Sequence, residues 1–470
     1  MRTRATGSCA WWGRANSTSY RGCRRVVAVK AAARRHVRGV EGLNPVQIGN
    51  KSRQCPKTLR VPDPTAKRAA LLDRGKSIIL SSRNQVRPSD THVAPGRRPA
   101  AADRRSRSGA GCSEEQLMIS FRFDHVRIES FGLNFPPTLV SSAEIEHRLA
   151  PVYERLRIPA GTLERVSGVS TRCMWPTTVT PSSVATVAAR EALERSRFRP
   201  DQIGALINCS VSRDFFEPAT ACLVHHNLGI PEESLVLDIT NACIGFSDGM
   251  IMLAHLIEAG TVQAGIICSG ENISKVVHTT CEQLLGDQGI TRDKMLQMLP
   301  TLTLGCGAVA AVLCHESISN GGHRFIGGVA RSASQHHELC IGNGDFSVGQ
   351  GEEIAPIMTS DAAQLMIAAA KLGGRAFPDV TASLGWSREH VDHVFCHQVG
   401  RQVNEAFYEE MGLDFDKDFA IYKRYGNMVS AALPAALAIG AGEKDIQPGE
   451  KVLLTAFGSG LNTRFLGFEW

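Results

Sequence analysis

Three polar side chains stand at the ends of predicted strands, and their types suit one kind of chemistry. Cys243 lies in ITNACIGF, between a short strand pattern and a long helical pattern. His397 follows the apolar run VFC, and Asn427 lies between Gly426 and an Ala-rich helical pattern. A thiol nucleophile, an imidazole and an uncharged amide donor together suit acyl transfer through a thioester. We therefore predict that Cys243, His397 and Asn427 form an acyl-transfer site.

Each member of this set has a predicted role. A helix begins just after Cys243, and its free N–H groups and dipole would lower the pKa of the thiol. His397 would donate a hydrogen bond to a developing oxyanion or exchange a proton, and Asn427 would supply an amide donor. Ser459 lies between two glycines in FGSGLN. Its backbone N–H, beside that of Cys243, would form an oxyanion hole.

Each of these residues also has a plain structural explanation. Cys243 alone would more often fill space in the core, as we expect of the other cysteines after residue 118. His397 alone could be a hydrogen-bonded core histidine, and Asn427 could cap a helix or occupy a turn. The motif GSG is common in turns. Their joint occurrence at strand ends, where α/β proteins place their chemistry, favours the functional interpretation.

The elements that position these residues alternate between apolar strands and helices. The predicted strands cover residues 203–211, 234–240, 264–270, 308–316, 390–398 and 450–460, and the predicted helices cover 183–196, 249–260, 361–377 and 431–443. Apolar strands that alternate with helices predict an α/β fold with covered sheets. The order of elements also repeats. Each copy runs from a helix through a strand to a second short strand, and these second strands are predicted to lead to Cys243 and to Asn427.

Charge separates a leader from the body of the chain. Residues 1–117 contain 25 Lys and Arg against seven Asp and Glu, whereas the remainder contains 27 against 39. The leader is rich in Arg, Ala, Ser, Gly and Pro without sustained apolar periodicity, which predicts disorder. It could be a nucleic-acid-binding arm, although no aromatic or fold motif accompanies the charge, or an organelle transit peptide. We favour a third explanation, that it is not native coding sequence and that translation begins at Met118.

Cysteine usage and hydropathy indicate the compartment. Four of the 14 cysteines lie in the leader, and the other ten stand mostly singly within apolar runs, without a CxxC pair. This pattern argues against a zinc ribbon or a disulfide framework, and it predicts reduced, buried thiols in a cytoplasmic protein. No uncharged apolar run approaches the roughly 18 residues of a membrane-spanning helix. We expect no metal, no nucleic-acid partner and no stable membrane insertion.

Five stretches resemble a known family. They are DITNACIGF (238–246), LTLGCGAVAAVL (302–313), CHQVGRQV (396–403), YGNMVSAALPAAL (425–437) and AFGSGLN (456–462). Over about residues 119–470 the chain resembles the 3-oxoacyl-ACP synthase III group of the thiolase superfamily. The resemblance implies a homodimer whose subunits are five-layered αβαβα sandwiches of two duplicated halves, 118–320 with the cysteine and 321–470 with the histidine and asparagine. It also implies that Cys243 is acylated, that His397 and Asn427 support condensation, and that coenzyme A thioesters are substrates without a further cofactor.

Departures from the group's pattern indicate a subfamily. Synthase III enzymes usually carry HQAN-type and GNTSAAS-type stretches, where this chain has HQVG and GNMVSAA. In SVSRDFFEPATACL (210–223), Glu217 replaces the apolar residue that in those enzymes reaches into the partner subunit. This pattern resembles the head-to-head acyl-CoA condensing enzymes of bacterial long-chain olefin synthesis. A plain acyl-CoA must lose an α-proton before it can condense, and Glu217 would be the base. The alternative is a surface carboxylate beside Arg213 and Asp214.

Three functions follow from these features. The first is an acyltransferase that joins two long-chain fatty acyl-CoAs, without decarboxylation, to a β-keto acid. The second is a conventional 3-oxoacyl-ACP synthase III, which condenses an acyl-CoA primer with malonyl-ACP and would require an acyl carrier protein as partner. The third is a catalytically silent acyl-binding protein, which the intact set of Cys243, His397 and Asn427 disfavours.

Overall fold

The computed structural model describes residues 119–343 and 357–470, so the predicted leader lies outside the described residues. The strands are β1 (Ile119–Arg122), β2 (Val126–Asn134), β3 (Leu139–Ser141), β4 (Thr171–Cys173), β5 (Ala205–Asn208), β6 (Leu235–Asp238), β7 (Ala264–Glu271), β8 (Gly307–His315), β9 (His323–Ser332), β10 (Cys340–Asn343), β11 (Ile357–Ser360), β12 (His393–Cys396), β13 (Lys451–Gly458) and β14 (Asn462–Glu469). The α-helices are α1 (Ser142–Arg148), α2 (Ala150–Arg155), α3 (Thr162–Ser167), α4 (Pro181–Ser196), α5 (Thr220–Leu228), α6 (Gly245–Glu258), α7 (Ser274–Gly286), α8 (Arg292–Met298), α9 (Ala362–Leu384), α10 (Arg401–Met411), α11 (Tyr422–Tyr425) and α12 (Ala432–Glu443). Each strand and helix predicted as an individual range is present.

The main sheet has two halves with the same strand pattern. In the first half β2, β8 and β7 are antiparallel neighbours, and β7, β5 and β6 are parallel. In the second half β9, β14 and β13 are antiparallel neighbours, and β13 pairs in parallel with β12. A short β2–β9 ladder joins the halves, and β1 adds to β9. The shared order and orientation confirm the predicted duplication.

Helices cover both halves of the sheet and separate them. Helices α4 and α5 pack on the first half, and α9 lies on β9 and β14 of the second half with α10 against it. Between the halves lie α6 and α12, whose apolar side chains share one core with strands of both halves. This core includes Ile207, Met250, Leu313, Leu433 and Leu454. The arrangement is the predicted five-layered αβαβα sandwich.

The strand predicted before Asn427 is wrong. The first half ends on β6, but the corresponding segment of the second half forms no ladder, and the chain instead enters the short helix α11. The side chain of Gln398 explains the difference. Its Oε1 accepts hydrogen bonds from the backbone N–H groups of Ile421 at 2.8 Å and Tyr422 at 3.2 Å. The side chain of Gln398 therefore satisfies these backbone donors, so they need no neighbouring strand.

Two further sequence predictions concern hydropathy and thiols. Within residues 119–343 and 357–470, no helix has the length and apolarity that crossing a bilayer requires. The ten cysteines of these segments are free, and seven of them are buried. The exceptions are Cys222, which is exposed, and Cys243 and Cys340, which are half-buried. The body therefore carries thiols inside its core, as the sequence predicted.

Candidate active site

Cys243 lies in a sharp turn between β6 and α6. Ala242 has a φ of +45°, and Asn241 and Cys243 form an isolated bridge across the turn. A left-handed conformation costs a non-glycine residue roughly 1–2 kcal/mol, so the surrounding contacts must hold it. The turn leaves Cys243 half-buried and immediately before Ile244, the N-cap residue of α6, which begins at Gly245.

A polar network fixes the Cys243 turn from both halves of the fold. Asn241 donates from Nδ2 to Asp248 at 2.6 Å, and Arg464 on β14 donates from Nε to the other oxygen of Asp248 at 2.6 Å. Asn462 reaches the side-chain oxygen of Asn241 at 3.5 Å. Asp248 and Arg464 are both largely buried, so the ion pair is weakly screened by water. The turn cannot shift without moving β14.

The glycine-rich turn after β13 packs directly on the Cys243 turn. A Cβ atom added at Gly458 would lie 3.1 Å from Cγ2 of Ile244 and 3.4 Å from its backbone nitrogen. A side chain at this position would force Ile244 to move, whereas glycine permits the approach without displacement. The contact sets Ser459, which is half-buried, beside the segment that carries Cys243. The structure thus brings together the two backbone segments predicted to form the oxyanion hole.

His397 follows β12 and is 3% exposed. Its backbone N–H donates to the carbonyl of Thr455 at 3.0 Å, on the strand that leads into Ser459. The ring nitrogen Nδ1 is buried and has no hydrogen-bond partner among the described residues. Burial lowers the pKa of His397 to about 4, so the imidazole is neutral at neutral pH. A neutral imidazole can donate one hydrogen bond and accept another.

Backbone contacts hold Asn427 on both sides. Its N–H donates to the carbonyl of Thr303 at 3.0 Å, and its carbonyl accepts from Gly305 at 2.9 Å. Both partners belong to the LTLGCGA stretch. The side-chain Oδ1 accepts from the N–H of Val429 at 3.0 Å. Because that oxygen is occupied, the NH₂ end of the Asn427 amide is the group available to donate to a substrate.

The pKa of Cys243 differs from the sequence prediction. Burial raises the pKa of the Cys243 thiol above its ordinary value, and Cys340 and Glu271 raise it further. The prediction that the start of α6 would lower this pKa is therefore wrong in sign, because the loss of hydration outweighs the helix dipole. In the free protein Cys243 is a thiol at neutral pH. Its proton must leave as the nucleophile reacts.

Glu217 differs from the other predicted site residues because its side chain is exposed. It is exposed at the tip of the loop between β5 and α5, next to Phe216, which is 89% exposed. The base of this loop is anchored, because Asp214 is buried and accepts from the N–H of Ser182 at 2.8 Å and from its hydroxyl at 2.5 Å. Asp214 thus points inward and does not share a surface acidic patch with Glu217.

Sequence reasoning missed two residues near Cys243. Cys340 raises the pKa of Cys243, and burial raises the pKa of Cys340 itself against the opposing influence of the Ser360 and Ser459 hydroxyls, but nothing in ELCIGN marks Cys340 as a site residue. Glu271 is fully buried at the end of β7. A signal for Glu271 was available, since a carboxylate closes the apolar run AGIICSGE.

Comparison with known proteins shows the family to which the chain belongs. The chain matches the family described as Thiolase, N-terminal domain, over residues 174–315, and that described as 3-Oxoacyl-[acyl-carrier-protein (ACP)] synthase III C terminal over residues 381–470. Proteins named acyl-CoA:acyl-CoA alkyltransferase from Shewanella oneidensis and Xanthomonas campestris are each 34% identical over 74% of this chain, and the matches cover 100% and 99% of those proteins. The chain belongs to the acyl-CoA:acyl-CoA alkyltransferase family.

Structures of the alkyltransferase family superpose on this fold. A Xanthomonas campestris OleA variant with bound lauric acid and lauroyl-CoA aligns with a TM-score of 0.69 and 33% identity, over 74% of this chain and 100% of that one. A beta-ketoacyl-[acyl-carrier-protein] synthase III from Oceanobacillus iheyensis is similar at 26% identity, again over 74% of this chain. These findings confirm the predicted thiolase-like fold, and they confirm that the chain resembles the acyl-CoA condensing enzymes more than this synthase III.

Proposed function

We propose that the protein catalyses the non-decarboxylative Claisen condensation of two long-chain fatty acyl-CoAs, and that its product is a β-keto acid. The observation that carries the proposal is Glu217 on an anchored loop of an acyl-CoA:acyl-CoA alkyltransferase fold. A malonyl donor forms its enolate by losing CO₂ and needs no such base, whereas a plain acyl-CoA must lose a carbon-bound proton.

In the first half-reaction Cys243 becomes acylated. Its sulfur attacks the thioester carbonyl, and the carbonyl oxygen receives hydrogen bonds from the backbone N–H groups of Cys243 and Ser459. His397 accepts the thiol proton as the carbon–sulfur bond forms, and it passes this proton to the departing sulfur of coenzyme A. A neutral imidazole suits this shuttle because it starts with a free acceptor nitrogen.

In the second half-reaction the acyl-enzyme is condensed with another acyl-CoA. Glu217 of the partner subunit removes an α-proton, and hydrogen bonds from His397 and Asn427 stabilise the enolate oxygen. The α-carbon attacks the thioester carbonyl on Cys243, and the departing Cys243 sulfur takes up the proton that Glu217 removed, which returns Glu217 to its carboxylate form. Glu217 then accepts a proton from water as the water attacks the remaining thioester, and this proton passes to the departing sulfur of coenzyme A, which leaves the β-keto acid. The two half-reactions require no cofactor beyond the coenzyme A thioesters.

Three features support a cytoplasmic homodimer. Glu217 is exposed in a single subunit, and the neighbouring Phe216 leaves a large apolar ring in water unless another chain covers it. Strand β6 forms one edge of the sheet, and its first residue Leu235 is 46% exposed, so a second copy can cover this edge. Free, mostly buried thiols fit a reducing compartment.

The experiment supplies purified protein with myristoyl-CoA alone and measures lipid products by mass spectrometry together with released coenzyme A. We expect a β-keto acid that contains both acyl chains, with two coenzyme A molecules per product, and none from Cys243→Ala. Product only when malonyl-ACP is added would establish the conventional synthase III activity instead. Absence of any acyl adduct on Cys243 would instead favour the third hypothesis, a catalytically silent acyl-binding protein.

A further inference from the structure

A buried carboxylate joins two segments of the site that come from opposite halves of the fold. Strand β7 is buried along its whole length between β5 and β8, and its last residue, Glu271, is 0% exposed. Carboxylates are almost never fully buried unless their oxygens are bonded. The hydrogen bonds that the Glu271 side chain accepts therefore indicate what a carboxylate contributes at this position.

Each oxygen of Glu271 accepts two hydrogen bonds from neutral donors. Oε1 accepts from the backbone N–H of Val211 at 2.9 Å and from the hydroxyl of Ser430. Oε2 accepts from the backbone N–H of Ser212 at 3.0 Å and from the hydroxyl of the same residue at 2.8 Å. Ser430 also lies 2.7 Å from the hydroxyl of Ser269. Because Ser430 donates its proton to the carboxylate, Ser269 must be the donor in that pair.

These donors belong to the segments that carry two of the proposed catalytic groups. Val211 and Ser212 lie near the start of the β5–α5 loop, which carries Glu217. Ser430 follows Asn427 by three residues. We propose that Glu271 is a positioning residue, which fixes the Glu217 loop and the Asn427 turn relative to each other. This inference deepens the proposed function and rests on its assignment of Glu217 and Asn427.

The charge of Glu271 has a separate effect on the nucleophile. It raises the pKa of the Cys243 thiol in addition to burial. A neutral glutamine at this position would remove that effect and would place an NH₂ group against N–H donors. A residue that acted only as structural support would change the stability of the fold but not the pH dependence of Cys243. The two roles therefore differ in a measurable way.

The test uses Glu271→Gln, Glu271→Asp and Ser430→Ala in the full chain. Iodoacetamide alkylation of Cys243 is followed against pH by peptide mass spectrometry. Cys243 in Glu271→Gln should be alkylated about threefold faster or more at pH 8, because loss of the nearby negative charge favours the thiolate. Glu271→Asp and Ser430→Ala retain the negative charge and should react as wild type does.

The same variants separate acylation from condensation. Acyl loading of Cys243 should change by less than about threefold, whereas condensation should fall about 10²-fold in Glu271→Gln and measurably in Ser430→Ala, because small displacements of reacting groups are costly. Condensation is measured with the donor that the wild type accepts, acyl-CoA or malonyl-ACP. The result for Glu271 therefore does not depend on which donor proves correct.

Glu146→Gln is the matched control. Glu146 is also a buried carboxylate, and it accepts from the backbone N–H groups of Gly161 at 2.5 Å and Leu163 at 2.7 Å, in helices α1 and α3 and the loop before α3. The Glu146→Gln substitution should lower the melting temperature. It should not change the pH profile of Cys243 alkylation or the ratio of the condensation rate to the acyl-loading rate. The proposal is overturned if Glu271→Gln behaves in the same way. If Glu271→Gln does not fold, wild-type condensation by Ser430→Ala overturns it instead.

Discussion

Cys243 and Cys340 make the assignment of the nucleophile testable at single-residue resolution. Both thiols are half-buried, and Cys340 raises the pKa of Cys243. After exposure to acyl-CoA, peptide mapping should locate the adduct only on the peptide that contains NACIGF. We expect no adduct in Cys243→Ser and a wild-type amount in Cys222→Ser, which removes an exposed thiol on α5 and is the control. An adduct on Cys340, or on the buried Cys209 or Cys396, would contradict the assignment.

His397 predicts a specific dependence of stability on pH. Burial lowers its pKa to about 4, whereas an unfolded histidine titrates near 6.5. Below pH 6.5 the histidine is therefore protonated in the unfolded chain, whereas in the folded chain it stays neutral until the pH approaches about 4. The free energy of unfolding should fall by up to about 3 kcal/mol across this window because of His397 alone. Above pH 6.5 this contribution is constant.

The measurement compares wild type with His397→Gln by urea unfolding from pH 8 to pH 4. The difference between the two free energies of unfolding should shift against the wild type as the pH falls, since glutamine does not titrate. Parallel curves would mean that His397 titrates normally in the folded protein. If the free energy of unfolding fell more steeply with decreasing pH in His397→Gln than in the wild type, the predicted direction of the His397 pKa shift would be wrong.

Helix α6 approaches β7 and the residue that follows β5 closely, and Gly249 permits this approach. A Cβ atom added at Gly249 would overlap Sγ of Cys209 and would lie 3.1 Å from Cγ2 of Ile267. Gly249→Ala should therefore destabilise the protein by about 1–3 kcal/mol through overpacking. It should also slow acylation, because α6 carries the Cys243 turn at its start.

A double-mutant cycle checks the cause. In Cys209→Ala the added methyl group of Gly249→Ala finds space, so the two substitutions should couple by about 1 kcal/mol or more. Gly286→Ala is the control, because Gly286 ends α7 with nothing within 4 Å of an added Cβ. It should be neutral or slightly stabilising. Additive effects in the Cys209 and Gly249 pair would show that another contact limits the helix.

The sequence predicted most of the elements because their apolar runs leave few alternatives. Strands such as AGIICSG and EKVLLTA are buried almost throughout, and a strand that is covered on both faces reads as a continuous apolar run. The predicted strand before Asn427 failed because one distant side chain, Gln398, captures its backbone donors. A local sequence pattern does not show that a side chain elsewhere in the chain will accept the hydrogen bonds that a neighbouring strand would otherwise accept.

The residue types of the site were predicted from the sequence, but its electrostatic environment was not. Cys243, His397, Asn427 and Ser459 were chosen from their positions at strand ends and turns, and their catalytic roles stay predictions. The pKa of Cys243 was not predictable, because the burial that raises it depends on how both halves close over the thiol. The bridging role of Glu271 was equally hidden, since its partners lie about 60 and 160 residues away in the chain.

For the whole molecule, the remaining question is whether one site is built from two subunits. Glu217 is exposed at the tip of an anchored loop, whereas Cys243 lies in a turn held by β14 of its own subunit. Glu217→Gln should still load acyl groups on Cys243 but should lose condensation by on the order of 10²–10⁴-fold. Glu232→Gln, an exposed glutamate after α5, is the matched control and should condense at the wild-type rate.

Mixed dimers decide which subunit supplies the base. A heterodimer of Glu217→Gln and Cys243→Ala subunits contains one intact Cys243, and an intact Glu217 is present only on the other chain. If Glu217 acts across the interface, this heterodimer should regain about half of the wild-type activity, because one of its two sites is complete. A base acting within its own subunit would leave both sites defective, and the heterodimer would be as inactive as either parent. Separately tagged chains, co-expressed and purified by both tags, provide the sample, and condensation of myristoyl-CoA is the measurement.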